Sequence, residues 1–425
     1  MKIIFDDAPK TIIPFEIDDY SSLLLCSLLY QPLFIKNNNS YEENMVIDKT
    51  NKDLICFSVK EIFWSNGLNC TVEDIRKTLL YIIQRKNNLA SYLSFIEGVE
   101  EYLEGLIDIN HISIWCNKRE IYIKSKIEGD YYKDIFSTIY FSPVYIVNNK
   151  INTKVTCGMF KLHKELELIP NKYNNKMNES ISIVIDKNAN NNIKLYESGE
   201  VDITCSTILY GGLVSKIEEH KDFIQKNSNL LLRLELKEGF KYKNIIHNIL
   251  IEILYEEKKV STNDINLKIK HENILCDLNI FIKNISILCA DFYPNNIIAL
   301  SLQKHLEELG VDVSLSLCSF DDFLSKCQQG KYDIIINVVS PITQSRIDYF
   351  LEKITYFNQD YIDKYVELLN LWILNSRYEG EIIDYVKYFS NVIDIGTLKH
   401  KYLIRDKYKN IIFFDENDNL IVRRS

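Results

Sequence analysis

The residues best suited to hold a metal or act as nucleophiles are seven histidines (His111, His163, His220, His247, His271, His305, His400) and ten cysteines (Cys26, Cys56, Cys70, Cys116, Cys157, Cys205, Cys276, Cys289, Cys318, Cys327). Their spacing supports neither use. The histidines lack i, i+4 pairs, and no CxxC or Cys/His cluster has the spacing a zinc site needs. Free, mostly buried thiols are the reading that follows. Acid pairs that could do general acid/base work (Glu42-Glu43, Glu100-Glu101, Glu256-Glu257, Glu307-Glu308, Asp321-Asp322) lie beside Lys or further acids, as on a solvated helix or loop face. The chain has no GxGxxG, GxxxxGK[ST], HExxH, GxSxG or EF-hand loop. No cofactor, metal or catalytic residue is therefore expected.

Composition narrows the function classes further. With 425 residues, 46% hydrophobic and 26% charged, the chain is folded and large enough for more than one core. Its net charge of −9 argues against nucleic acid, which selects for clustered Lys and Arg. The N-terminal segment lacks the apolar run of a signal peptide and carries acids where bases are usual. This predicts a cytoplasmic protein, or an extracytoplasmic one if a leader has been removed. The apolar residues 23–29 are too few to span a bilayer and predict a buried helix capped by Ser21 and stopped near Pro32. No membrane insertion is expected.

The elements that must position any site alternate between strand and helix. Residues 2–5 read as a strand, 21–30 as a helix, and 37–40 as a polar loop at a first boundary. Residues 45–48 and 54–59 predict a hairpin, as do 112–115 and 121–124. Thr71 with Asp74 predicts a capping box starting a helix that reaches about Arg85. The stretch 155–203 reads strand, strand, strand, helix, strand, and 230–236 is another strand. Strand 285–289, helix 295–309, strand 311–317, helix 320–327 and strand 333–339 then predict a parallel sheet with helices on both faces. Ligands of such sheets sit at the carboxyl ends of the strands. Helices at 344–356, 360–375 and 379–390 and a terminal hairpin, 411–414 with 419–423, complete the reading.

Several punctuated segments resemble one family in order. Ser21-Ser-Leu-Leu-Leu-Cys-Ser-Leu-Leu-Tyr-Gln-Pro-Leu33 resembles the first helix and "YEPL" turn of the peptide/nickel-type solute-binding proteins of ABC importers. Cys56-Phe-Ser-Val-Lys-Glu-Ile-Phe-Trp-Ser-Asn-Gly67 with Thr71-Val-Glu-Asp74 resembles its "WSDG…TAED" signature, and Thr156-Cys-Gly-Met-Phe-Lys161 with Ile169-Pro-Asn-Lys-Tyr173 its "GTGPYK…NPxYW". Glu197-Ser-Gly-Glu-Val-Asp-Ile203 and Gly330-Lys-Tyr-Asp333 continue the order, so the resemblance covers about residues 1–340. These motifs are folding punctuation and speak for fold more than function. Two departures bear on function: the second lobe is shortened after Phe240, and the loop after Tyr332-Asp333 offers no acid before Asp348, where peptide receptors carry an ammonium-binding Asp. In that loop, and in lacking a leader, the chain resembles the solute-binding domain of cytosolic sugar-phosphate-stress regulators.

The resemblance implies an α/β, two-lobed, class II periplasmic-binding-protein fold of the Venus-flytrap type. Lobe one would take 1–232 and 394–425, with 39–154 as an extra subdomain, and lobe two 233–393. It implies non-catalytic capture of a small polar or peptide-like ligand in a cleft, by a monomeric cytosolic sensor, carrier or substrate-presenting protein. An ABC permease or a pathway protein would be the partner. An importer receptor with its leader removed, or a biosynthetic enzyme reusing the cleft, are the alternatives. Cleft residues by carry-over and loop position are Tyr30, Gln31, Thr156, Cys157, Tyr210, Gly211, Tyr293, Asn337, Ser340 and Arg346. Arg346 would pair with a carboxylate or phosphate if it faces the cleft, and would be a solvated charge on a helix face.

Overall fold

The computed structural model describes residues 1–37, 40–127, 129–174, 179–208, 217–270, 284–343, 345–374 and 376–423. Chain contacts divide it into two units, Met1–Leu209, Lys216–Ile224 and Lys401–Ser425 forming one and Tyr210–Ser215 and Gln225–His400 the other.

The first unit begins with β1 (Lys2–Phe5) and α1 (Tyr20–Leu29), followed by the paired strands β2 (Phe34–Asn37) and β3 (Ser40–Glu43). An antiparallel sheet of order β4-β5-β7-β6 combines β4 (Val46–Asp48), β5 (Leu54–Val59), β6 (Ile114–Cys116) and β7 (Glu120–Lys124). Helix α2 (Val72–Gln84) packs on it through Val72, Ile75, Leu79, Ile82 and Ile83, a stripe at helical spacing that is buried throughout. Its capping box is formed in both directions between Thr71 and Asp74. The short helices α3 (Asn88–Ser91), α4 (Val99–Leu103) and α5 (Tyr131–Phe136) follow, then the small pair β8 (Ile146–Val147) and β9 (Lys150–Ile151). A second sheet of order β1-β12-β11-β10 joins β1 to β10 (Phe160–Lys164), β11 (Glu167–Pro170) and β12 (Ile181–Ile185), with α6 (Ala189–Glu197) after it. Tyr196 from α6 is fully buried with Ile4, Val201, Cys205, Ile217 and Leu403.

The second unit is built on one six-stranded sheet of order β14-β18-β13-β17-β15-β16. Its strands are β13 (Phe223–Leu236), β14 (Ile265–Leu267), β15 (Asn284–Ala290), β16 (Asp312–Cys318), β17 (Ile334–Val339) and β18 (Val392–Leu403). Helix α7 (Lys243–Ile251) precedes β14, α8 (Asn295–Glu308) joins β15 to β16, and α9 (Phe320–Cys327) joins β16 to β17. The expected parallel βαβαβ segment is present, β15 pairing in parallel with both β16 and β17. The whole sheet is mixed, because β13 adds to β17 antiparallel, Arg233 opposite Asn337. Helices α10 (Arg346–Lys353), α11 (Gln359–Leu374) and α12 (Glu379–Phe389) form their own apolar cluster, in which the Phe357 and Tyr365 rings stack at 4.2 Å. The chain ends in the hairpin β19 (Ile412–Phe414) and β20 (Leu420–Val422), which belongs to the first unit.

Local differences from the sequence reading have plain causes. The cap of α1 is Asp19, whose Oδ1 accepts the Ser22 N–H at 2.7 Å; Ser21 is buried inside the helix and donates to Asp6 at 2.9 Å. Asn37 and Ser40, which flank the expected loop at 37–40, are register partners of β2 and β3. Ile203 makes single bridges to Ile3 and Ile404 in place of a strand. The chain changes unit at 224/225 inside β13 and at 400/401 inside β18, where the sequence reading sets 232/233 and 393/394. Among the described residues no helix is long and apolar enough to cross a membrane.

Candidate functional site

The structure brings four of the sequence-predicted residues together in the first unit. Tyr30 caps α1, its N–H bonding to Cys26 O at 2.8 Å, and Gln31 Nε2 donates to Cys157 O at 3.0 Å. Thr156 Oγ1 donates to Phe160 O at 3.2 Å, while Asn174 Nδ2 donates to Cys157 O at 2.9 Å. Gly158 fixes the approach: its N–H bonds to Leu29 O at 2.8 Å, and a Cβ there would stand 2.3 Å from Leu29 C. All four side chains are buried, at 1% for Tyr30, 6% for Gln31, 1% for Thr156 and 0% for Cys157. Their hydrogen bonds knit the end of α1 to the Gly158 turn. The Tyr30 hydroxyl is the exception, buried with no hydrogen-bond partner, and burial pushes its pKa well up.

The remaining predicted residues that are described lie in the second unit and do not gather in one place. Tyr293 donates to the buried Asp264 at 2.6 Å. Ser340 is exposed just beyond β17. Arg346 opens α10 with its side chain 66% exposed and ion-paired to Glu379. Asp348 is buried in α10 and accepts from the Thr343 hydroxyl. Tyr210 and Gly211 fall outside the described residues.

Asn337 leads to a group the sequence reading missed. Its Nδ2 donates to Glu235 Oε1 at 3.3 Å, and its register partner Arg233 is completely buried. Arg233 holds Glu352 through Nη1 at 2.5 Å and Nη2 at 3.2 Å, bonds the Tyr356 hydroxyl at 3.0 Å, and places Nε 3.3 Å from Asp394 Oδ1. Lys353, also fully buried, pairs with Asp394 at 2.8 Å, and the Tyr349 hydroxyl donates to the same carboxylate at 2.8 Å. Tyr349, Glu352, Lys353 and Tyr356 recur at i, i+3, i+4 and i+7, so one face of α10 and the turn after it lies over β13 and β18.

The electrostatics of this cluster follow from burial and pairing. Burial works against a charged Asp394, yet Lys353 and Arg233, with hydrogen bonds from Lys353 and Tyr349, hold it below the usual carboxylate range. Burial lifts Glu235, with Arg233 opposing, and lowers Lys353, with Asp394 opposing. Nearby, Lys243 donates to Ser390 O at 2.7 Å and Val386 O at 3.2 Å, and burial pushes its ammonium down to about 7. Each acid faces a base or a phenol, an arrangement that orients helices and tunes polarity. Two signals in the sequence point to it: charges at alternate positions of the apolar Leu230–Leu236 stretch, and the polar stripe on α10. An open cavity of about 300 Å³ in the same unit is lined by Lys237, Phe240, Tyr242, Ile285 and Asp333. Among the described residues no three His, Cys, Asp or Glu side chains are placed to hold a metal.

No family model and no curated protein sequence matches the chain. Solved structures do. The murein tripeptide binding protein MppA of Escherichia coli matches with TM-score 0.79 at 11% identity, over 100% of this chain and 98% of that one. Haemophilus influenzae OppA in complex with RPPGFSPFR matches with TM-score 0.76 at 13% identity, over 99% and 97%. A periplasmic oligopeptide-binding protein of Borrelia burgdorferi, OppAIV, matches with TM-score 0.76 at 17% identity, over 96% and 95%. The chain has the two-lobed periplasmic solute-binding fold. At these identities the likeness is one of fold. Within the solute-binding fold, the turn at Gly158 and the parallel β15-β16-β17 segment are where the sequence resemblance had placed them.

Proposed function

We propose that the protein captures a small, peptide-like ligand without transforming it, as a cytosolic sensor, carrier or substrate-presenting protein. The observation that carries this is the match of the whole chain to structures whose names describe peptide binding, a murein tripeptide receptor and oligopeptide receptors among them. Nine described cysteines are free thiols, six of them buried, which suits a reducing compartment. The loop chemistry that resembles the sugar-phosphate-stress regulators points the same way.

The ligand is one whose amine is blocked or that carries extra acid. An ammonium group enclosed by protein needs a carboxylate, and enclosing it without one costs several kcal/mol. In the loop after β17 the first acid is Asp348, which is buried in α10 and engaged by Thr343. Native mass spectrometry of the protein purified from its own host tests the proposal. A retained peptide-like mass supports it; a retained mass of another class, or conversion of candidate ligands to new products, contradicts it.

A second reading, a receptor of an ABC importer, is favoured by the names of two neighbours, the periplasmic OppAIV and a Bacillus anthracis oligopeptide ABC transporter described as its substrate-binding domain. Cell fractionation separates the two readings.

A further inference from the structure

The cavity of the second unit lies at the amino ends of the parallel strands β15 and β17, the opposite end of the sheet from the carboxyl ends at which α/β sheets take ligands. Its volume of about 300 Å³ stands at the lower end of the range for small-molecule pockets. Part of its lining is the loop 237–242 between β13 and α7, and the rest is the start of β15 with Asp333, the residue before β17. The loop is held by its backbone. Lys237 N–H donates to Asp333 O at 2.9 Å, and Phe240 N–H to Lys237 O at 3.0 Å, closing a turn whose third residue, Gly239, has φ 74°. It is after Phe240 that the chain departs, by a shortened second lobe, from the family it resembles.

The lining combines two cations, two anions and two rings. Asp333 is fixed in place: its Oδ2 accepts the Ser286 N–H at 2.9 Å and the Ser286 hydroxyl at 2.7 Å, while its Oδ1 stands 3.7 Å from Lys237 Nζ, beyond hydrogen-bond reach. Glu238 and Lys241 are exposed, and no hydrogen bond or ion pair joins either side chain to another described residue. Phe240 and Tyr242 meet edge to face with ring centroids 6.1 Å apart. An aryl anion would set its charge against Glu238 and Asp333, and an aryl amine against Lys237 and Lys241. A neutral molecule would leave both signs unanswered. A molecule that carries an ammonium, a carboxylate and a ring meets all three features together.

We propose that this cavity binds a free aromatic amino acid as its zwitterion, the carboxylate against Lys237 and Lys241, the ammonium against Asp333 and Glu238, and the ring against Phe240 and Tyr242. The charges stand at the surface, so they give selectivity more than strength and the affinity is modest. The bound amino acid joins the loop between β13 and α7 to the starts of β15 and β17. It occupies a second site, which does not depend on the protein's also capturing a peptide-like ligand.

Titration calorimetry of the full chain with L-phenylalanine alone tests this. Saturable binding of one molecule per chain is expected, with a dissociation constant below about 1 mM. Phenethylamine, which lacks the carboxylate, 3-phenylpropanoate, which lacks the ammonium, and glycine, which lacks the ring, should each bind at least about tenfold more weakly. Lys241→Glu, which turns a charge against the carboxylate, and Phe240→Ala should each weaken L-phenylalanine by about tenfold or more. Lys241 has no described partner to lose, so its substitution decides even if Phe240→Ala does not fold. No saturable binding up to about 10 mM, equal binding of the three analogues, or full affinity in Lys241→Glu overturns the proposal.

Discussion

Arg233 in β13 and Glu352 in α10, 119 residues apart, meet through two parallel hydrogen bonds of 2.5 and 3.2 Å. The fork-to-fork geometry is the strongest form an ion pair takes. Because Arg233 is wholly buried and its Nε also stands 3.3 Å from Asp394, one guanidinium joins two strands and a helix of the second unit.

Removing that cation strands charge in the protein interior. Arg233→Met should lower the unfolding free energy by about 3 to 5 kcal/mol, the usual cost of breaking a buried pair from one side. Urea denaturation measures it. Adding Glu352→Gln to Arg233→Met should recover part of the loss, and strictly additive costs would show that the two residues are not coupled.

Lys243 gives a pH signature. Its folded-state pKa is pushed down to about 7 by burial, with the Lys353 charge adding and Asp394 opposing. Between about pH 7 and its unfolded value near 10.4 the unfolded chain holds a proton that the folded chain has released, so stability rises with pH across that window. The cost of burying the ammonium is complete below about pH 7. The stability of wild type minus that of Lys243→Met should therefore climb by a few kcal/mol from about pH 7 to 10. Parallel pH profiles would show that the ammonium stays charged on its carbonyls.

Gly158 is required for a different reason. A methyl group at this position would meet the backbone of Leu28 and Leu29 at 2.3 to 2.6 Å, where nothing can swing away. Gly158→Ala should cost about 3 kcal/mol, read as a lower denaturation midpoint with an unchanged slope.

How far the sequence reveals these features depends on the range of the interactions involved. The capping box at Thr71 and Asp74 is a local signal and lies where the sequence puts it. The cap of α1 is not legible in the sequence because Asp19, Ser21 and Ser22 are all competent caps, and which one faces the helix end depends on Asp6, which takes the Ser21 hydroxyl. Of the predicted site residues, Tyr30, Gln31, Thr156 and Cys157 do meet, though as a buried hydrogen-bonded joint. The Arg233 cluster was illegible because Arg233, Lys353 and Asp394 come from three distant stretches of chain. Only the pairing of β13 with β18 and the packing of α10 over them bring them together.

Tyr30 separates packing from recognition. Its hydroxyl is buried and unpartnered, so Tyr30→Phe should leave stability within about 0.5 kcal/mol of wild type or raise it, by thermal denaturation. A loss above about 2 kcal/mol would mean that the hydroxyl has a partner in solution.

The central claim, capture of a blocked or acidic peptide-like ligand without turnover, is tested most directly by titration calorimetry. The titrants are peptides of two to five residues, plain, N-acetylated and acidic. The account predicts saturable binding of one acetylated or acidic peptide per chain, at least about tenfold tighter than the plain form, a gap of 1.4 kcal/mol or more. Heat that persists after each injection would reveal turnover, and either that or micromolar binding of plain peptides would contradict the account.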